Sequence, residues 1–208
     1  MQPAPLISIV PSARIRVVSS LHDRVLQVLD QPAHSWVRNF HNYMYAIAAG
    51  FIPSSSSFGA GYLSLKDTGG TVRNAAAASY SYIIVGPVSN SNYGILCGRS
   101  SSAESYEHYA LQTPITHGTG SNQLSHRVGS TIAPAYTSGT KTWNSSFSRV
   151  FDNSSGSTIT VTETGIVAVL NNTAYYFLMS RDLLGASVDV PHNGIITVTY
   201  DISLQFPN

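Results

Sequence analysis

Charged side chains are scarce. Asp, Glu, Lys and Arg together make up 10 % of the 208 residues, and they balance to a net charge of +1. That is well below the usual quarter. It excludes a partner held by clustered cations, such as duplex DNA, and it excludes disorder driven by charge repulsion. There is a single cysteine, Cys97, so no disulfide framework within the chain and no Cys-based metal site can form. Cys97 sits in the apolar run YGILCG and reads as a buried small hydrophobe rather than a nucleophile. No apolar run reaches the length of a membrane span. The N-terminal text MQPAPLISIVPSARIR has neither a basic leader nor a small-residue cleavage site, so it does not read as a signal peptide. The expectation is a chain made in a cytosol that stays soluble or assembles there. The sequons at Asn144, Asn153 and Asn171 then read as turn chemistry.

What the chain has is Ser, Thr, Asn, Gly and Tyr. This composition fits a β protein whose faces are largely covered by other protein. Residues 1–12 carry three prolines around Leu6, Ile7, Ile9 and Val10, which reads as an extended apolar arm: an edge strand of its own sheet, or an arm laid on a neighbouring subunit. Residues 13–30 read as a hairpin about Leu21-His22-Asp23. Residues 35–49 give the best helix, with Ser35 as its cap, Trp36, Phe40, Met44 and Ile47 on one stripe and Gly50 as its stop. Residues 51–79 read as a long surface loop holding a short strand near 62–66. The run Tyr82-Ile83-Ile84-Val85 reads as a doubly covered strand. Residues 174–182 and 187–191 read as two strands with Gly185 turning the chain between them. Residues 195–206 alternate strictly, with Ile196, Val198, Tyr200, Ile202, Leu204 and Phe206 on one face. Short strands separated by turn signals predict a mainly β fold: an antiparallel, jelly-roll-like β-sandwich with one helix packed on it. The division is an arm and hairpin over 1–31 and a sandwich over 32–208.

The stretch 147–170 reads as two strands about the turn Asn153-Ser154-Ser155-Gly156. Folded as a hairpin, it brings Arg149 and Glu163 to one face, each in a file of apolar residues. The expectation is a partly buried ion pair that fixes register. Catalytic patterns are missing. There is no Gly-x-Ser-x-Gly elbow, no phosphate loop and no His-Glu-x-x-His. His108 with Glu104 and Glu107 is the nearest thing to a metal or acid–base cluster, and a solvated face is the simpler reading. No catalytic, metal or cofactor residue is assigned.

A further pattern runs through the text. Phe147, Arg149, Phe151, Asn153, Ser155, Gly156, Ile159, Val161, Glu163 and Gly165 are followed by Arg181-Asp182, then Val188-Asp189-Val190-Pro191, then Ile196-Thr197-Val198-Thr199-Tyr200-Asp201-Ile202, with Ser35-Trp36-Val37-Arg38-Asn39-Phe40 ahead of them. In order and spacing this resembles several virion proteins of tailed bacteriophages. Val167 stands where their pattern has an aromatic. The resemblance implies a non-enzymatic structural subunit of the tail, baseplate or capsid decoration, located in the virion. Its partners would be copies of itself, trimers being common among decoration proteins, and other virion proteins, with no nucleic acid and no membrane. Two rival readings stand beside it. One is a receptor- or glycan-binding sandwich that uses the Ser/Gly/Tyr-rich loops 53–70 and 116–139, with Tyr62 or Tyr136 exposed. The other is an enzyme whose site only the fold assembles.

Overall fold

The computed structural model describes residues 11–48, 64–74, 84–169 and 175–205. Eleven strands and one helix are found among them: β1 (Pro11–Leu21), β2 (Arg24–Ala33), α1 (Arg38–Ala48), β3 (Ser64–Lys66), β4 (Val72–Asn74), β5 (Gly94–Gly98), β6 (Ser125–His126), β7 (Ser130–Thr137), β8 (Thr142–Asp152), β9 (Ile159–Val169), β10 (Tyr176–Val190) and β11 (Ile195–Gln205). All strand pairings are antiparallel. The larger sheet runs β2-β1-β11-β8, with β6 and β7 both on the far side of β8. The smaller runs β10-β9-β5, and β3 and β4 form a separate hairpin.

The strict alternation at the C-terminus does what its period dictates. Ile196, Val198 and Tyr200 of β11 are fully buried beside Ile15 and Val17 of β1 and Phe151 of β8. Facing them in the same core are Ile159 and Val161 of β9 and Phe177, Val188 and Val190 of β10. The two sheets therefore close on one another as a sandwich. A smaller apolar cluster, Val37, Leu96, Leu111, Val167 and Leu178, joins the smaller sheet to the start of α1 and the chain around 111.

The N-terminal hairpin runs over 11–33 rather than 13–30, and it is part of the sandwich, because β1 lies between β2 and β11. Its two-residue turn has positive φ at both His22 (48°) and Asp23 (63°), the mirror-image geometry that matches strand twist. Pro11 is the first residue of β1, where no ladder hydrogen bond is demanded of it. The arm residues Leu6, Ile7, Ile9 and Val10 lie outside the described residues, as do Tyr62, Gly50, Asn171 and Phe206.

Four expectations are corrected. The helix begins at Arg38, not Ser35, because residues 35–37 run alongside β10, joined to it by an isolated bridge and two main-chain hydrogen bonds. Arg181 N–H donates to Ser35 O (3.0 Å), Val37 N–H donates to Met179 O (3.0 Å), and Trp36 bridges Ser180. Asn39 of the helix is buried, as is Val37 just before it, with Phe40 and Tyr43 packed on the core, while Met44 is exposed. Ile84 and Val85 are not in a strand; the buried strand here is β5, in the run read only as the setting of Cys97. Residues 176–190 form one strand, not two. Gly185 sits in a bulged stretch between Leu183 and Val188 where β10 leaves the β9 ladder. Lastly, β8 and β9 are not a hairpin: β8 belongs to the larger sheet and β9 to the smaller. Asn153, fully buried, builds the corner between them. Its Nδ2 donates to Ser157 O and Val190 O (both 2.7 Å), and its Oδ1 accepts from Ser155 N–H (3.0 Å). This sequon is turn chemistry.

Candidate functional site

The corner at Asn153 decides where the ionisable groups go. Because β8 and β9 part there, Arg149 and Glu163 are not partners, and the expected pair does not exist. Each is buried, and each has another set of contacts.

Arg149 is 1 % exposed and pairs with no carboxylate among the described residues. Its Nε donates to Arg127 O (2.9 Å), Nη1 to Tyr93 O and Ile95 O (both 3.1 Å), and Nη2 to Pro87 O (2.8 Å) and Asn90 O (2.7 Å). A guanidinium has five N–H donors, and all five end on main-chain carbonyls. Burial pulls its pKa down from the usual value, but a guanidinium starts so high that it stays charged. The planar fork thus gathers the 87–95 loop, the edge of β5 and the chain at Arg127 around one side chain.

Beside it lies His126, also buried. Its main-chain N–H donates to His117 Nδ1 (3.0 Å), and its own Nδ1 donates to Asn90 O (2.9 Å). Among the described residues Nε2 has no hydrogen-bond partner. Burial, joined by the Arg149 charge, pushes the His126 pKa down to about 4. The ring is therefore neutral at pH 7, with its proton on Nδ1.

Glu163 meets Arg181 instead. Arg181 Nε donates to Glu163 Oε2 at 2.6 Å, and both side chains are fully buried. Glu163 Oε1 accepts from Thr113 N–H (2.9 Å) and Oε2 from Gln112 N–H (3.4 Å). Arg181 spends further donors on Ser102 O (2.9 Å), Ala103 O (3.3 Å) and His108 Nδ1 (3.2 Å). His108 Nδ1 also accepts Ser105 N–H (3.2 Å), and burial with the Arg181 charge lowers its pKa. The ion pair thus fastens the loop between 99 and 113 onto β9 and β10.

Asp182, the next residue, is fully buried. Its Oδ1 accepts from the N–H groups of His34 (2.9 Å) and Ser35 (3.1 Å). Burial raises its pKa, with those two N–H groups opposing. Tyr200 Oη lies 3.4 Å from Asp182 Oδ2 and 2.8 Å from Thr164 Oγ1, and burial pushes the phenol far above its ordinary range. At the surface, His34 Nε2 meets Glu104 Oε2 at 3.0 Å. Glu104 Oε1 accepts Leu183 N–H (2.6 Å). The His34 pKa is raised, first by the Pro32 carbonyl at Nδ1 and then, against burial, by Glu104 and Asp182.

His108, Glu104 and Glu107, the nearest thing to a cluster in the sequence, do not converge. Glu104 turns to His34 and β10, Glu107 pairs with Arg38, and His108 faces Arg181. Among the described residues no group of three His, Cys, Asp or Glu is placed to hold a metal ion. Cys97 is fully buried, and burial pushes its thiol up to about 12. Sequence reasoning missed Arg181 and Asp182 as buried charges. Their signal was present: a charged pair in the middle of an apolar strand, YYFLMSRDLL, asks for partners.

The remaining geometric feature is the contrast between the two sheets. Both edges of the smaller sheet are closed. Along β10, residues 34–37 cover one end, and two glutamines of β2 cover the other. Gln27 donates to Ser187 O (2.8 Å) and accepts Asp189 N–H (3.3 Å), and Gln31 donates to Leu183 O (2.7 Å) and accepts Gly185 N–H (2.7 Å). Along β5, Ile115 N–H reaches Cys97 O (2.9 Å), Arg99 N–H reaches Thr113 O (2.9 Å), and Arg149 takes the carbonyls of Tyr93 and Ile95. The larger sheet ends differently. Neither β2 nor β7 has a further strand beside it among the described residues. Large exposed apolar side chains collect there: Val25, Leu26 and Val28 on β2, Ile132 on β7 and Val128 just before it. No family model, no curated protein and no solved structure matches this chain.

Proposed function

We propose that this chain is a non-enzymatic structural subunit of a bacteriophage particle, in the tail, baseplate or capsid decoration, joined to neighbouring subunits through strand and arm contacts. The observation that carries the reading is that, among the described residues, the larger sheet ends on β2 and β7 with exposed apolar side chains and no further strand beside them. Natural sheets blunt or cover their edges because an unpaired strand invites pairing. Among the described residues the smaller sheet is covered on both sides and no strand continues the larger one at β2 or β7. The buried charges support the reading as well, since Arg149, Arg181, Glu163 and Asp182 are each engaged in fastening loops and strand ends. The phage assignment itself rests on the sequence resemblance.

The test has two stages. Mass spectrometry of purified particles from the phage that encodes the chain should recover it in stoichiometric amount. Deleting residues 1–10, which spares β1, should leave a folded chain that is absent from those particles. Particles that lack the chain altogether would sink the proposal, and particles that take up the truncated chain would sink the role of the arm.

A second reading has its own observation. Three cation–ring pairs lie around α1, β3, β4 and the start of β10: Arg38 over Tyr106 (5.7 Å), Lys66 over Tyr109 (4.2 Å) and Arg73 over Tyr175 (4.1 Å). Tyr and Arg surfaces of this kind suit a receptor or glycan. Binding of the isolated chain to a glycan array, abolished by Tyr106→Ala, would favour it.

A further inference from the structure

At one end of the larger sheet its core face runs on past the core. Leu204 stands opposite Trp143, and Trp143 opposite Tyr136, so one row crosses β11, β8 and β7, and β1 meets it at Pro11, the partner of Leu204. Residues directly opposite in a ladder share a face, and along each strand that face returns every second residue. Four residues further in, the same face carries Ile15 and Tyr200, both fully buried, and Phe147, packed on the core. Between lie Ala13 and Ser145, each 9 % exposed, and half-buried Ile202. In the row itself Leu204 and Trp143 are half-buried and Tyr136 is 56 % exposed. None of these three belongs to a core cluster among the described residues. Burial thus fades toward this end, although the side chains stay apolar.

The chain that precedes β1 arrives at this row. Pro11 has no N–H with which to carry the ladder further. Just before it come Leu6, Ile7, Ile9 and Val10, and residues 1–10 contain no charged side chain. An apolar, uncharged segment is therefore tethered at the edge of an apolar, incompletely covered row. The lengths fit. Three strand spacings separate Pro11 from Tyr136, about 14 Å in all, and five extended residues reach about 17 Å. Pro3 and Pro5 bar the segment from a central ladder position, so side chains rather than main-chain bonds carry its contacts. The tether also decides whose arm it is. A segment joined to the edge of a surface meets it at a millimolar effective concentration, far above that of other copies in dilute solution.

We propose that in the free chain the N-terminal arm crosses the end of its own sandwich, with Leu6, Ile7, Ile9 and Val10 covering Leu204, Trp143 and Tyr136. The arm is then stored on its own molecule. Where many copies gather, each presents the same row to its neighbours' arms, and an arm can pass from one to the next without a new kind of contact, as in domain swapping. This resting position concerns the chain before assembly, so it stands or falls separately from the particle reading.

Trp143 reports the contact. Trp36 is the other tryptophan of the sequence, so Trp36→Phe leaves Trp143 as the single emitter. In micromolar solution, removing residues 1–10 should shift its emission to the red and let acrylamide quench it more readily. Ile7→Asp with Ile9→Asp should do the same in the full-length chain. Both changes leave β1 intact. Ile132→Asp should alter neither reading, because Ile132 stands opposite Ser146, on the other face of β7 and β8. Emission unchanged by both arm variants overturns the proposal. So does protection of Trp143 that fades on dilution, since the cover is then another copy's arm. A truncated chain whose Trp143 is unchanged and which is absent from particles overturns this seat and spares the particle role of the arm. A truncated chain whose Trp143 is uncovered and which still enters particles does the reverse.

Discussion

Glu163 receives the Nε–H of Arg181 at 2.6 Å with both side chains fully buried. A buried ion pair of this kind contributes little net stability, because desolvation offsets the attraction, but removing one partner leaves a bare charge in the interior. Glu163→Gln should therefore cost about 3–5 kcal/mol, seen as a lower urea midpoint at unchanged slope. The pairing also sets what couples to what. A double-mutant cycle of Glu163→Gln with Arg181→Lys should show strong coupling. The same cycle with Arg149→Lys should be additive to within about 0.5 kcal/mol, as for sites that share no partner. Strong coupling between Arg149 and Glu163 would contradict the placement of their strands in different sheets.

That contrast also shows how far the sequence could be read. Periodicity recovered β11, the N-terminal hairpin and the sandwich, because a residue's face depends only on its neighbours in the strand. The 147–170 stretch defeated it. A turn such as Asn153-Ser154-Ser155-Gly156 serves a hairpin and an inter-sheet corner equally well. The choice is made by distant groups: Val190 O on Asn153 Nδ2 and Gly194 O on Asn153 N–H. The partners of Arg149 were illegible for the same reason, since main-chain carbonyls carry no sequence signature. Gly185 misled as a turn because a bulged strand and a turn use the same residue, and Gln27 and Gln31, far away in the chain, hold that stretch.

Acid should destabilise the chain through His126. Its folded pKa is about 4 against an ordinary 6.5, so between these values the unfolded chain binds the extra proton. The contribution is complete above 6.5, falls as the pH drops, and levels off below about 4. The shift corresponds to on the order of 3 kcal/mol. His108, also lowered, acts in the same sense. His34 acts oppositely: its folded pKa is raised, so its contribution is present below 6.5 and lost as the pH rises through the folded value. Asp182, raised by burial, is relieved by acid. His126→Phe isolates the main effect. It removes the unpartnered Nε2, and Asn90 O keeps Arg149 as a donor. Its thermal midpoint should fall less than that of the wild type between pH 7 and pH 4.5, and an unchanged difference would refute the assignment.

Gly98 of β5 stands opposite Glu163 of β9, and a Cβ at Gly98 would collide with the carboxylate that holds Arg181. Gly98→Ala should destabilise by about 1–3 kcal/mol, the cost of overpacking. Because the strain falls on the ion pair, the effect should appear locally as well. Amide exchange at Gln112 and Thr113, whose N–H groups bond Glu163, should quicken before global unfolding. Tolerance of Ala with those amides unchanged would mean that β5 can move away from β9.

Gln27 and Gln31 hold the bulged part of β10 by offering it a donor and an acceptor each, as a neighbouring strand would. Gln31→Ala frees Leu183 O and Gly185 N–H near the rim, where water can replace the side chain, so the cost should be about 1 kcal/mol. The double variant with Gln27→Ala should cost about twice that. The two side chains lie on one strand and touch separate parts of β10, so their effects should add. The informative readout is hydrogen exchange. Protection at Gly185 and Asp189 should fall to that of an open edge, while Val161 and Val188, paired across the β9–β10 ladder, keep theirs. Loss of protection along the whole of β10 would show instead that the glutamines hold the smaller sheet against the larger one, and the energetic cost would then exceed the sum of four rim hydrogen bonds.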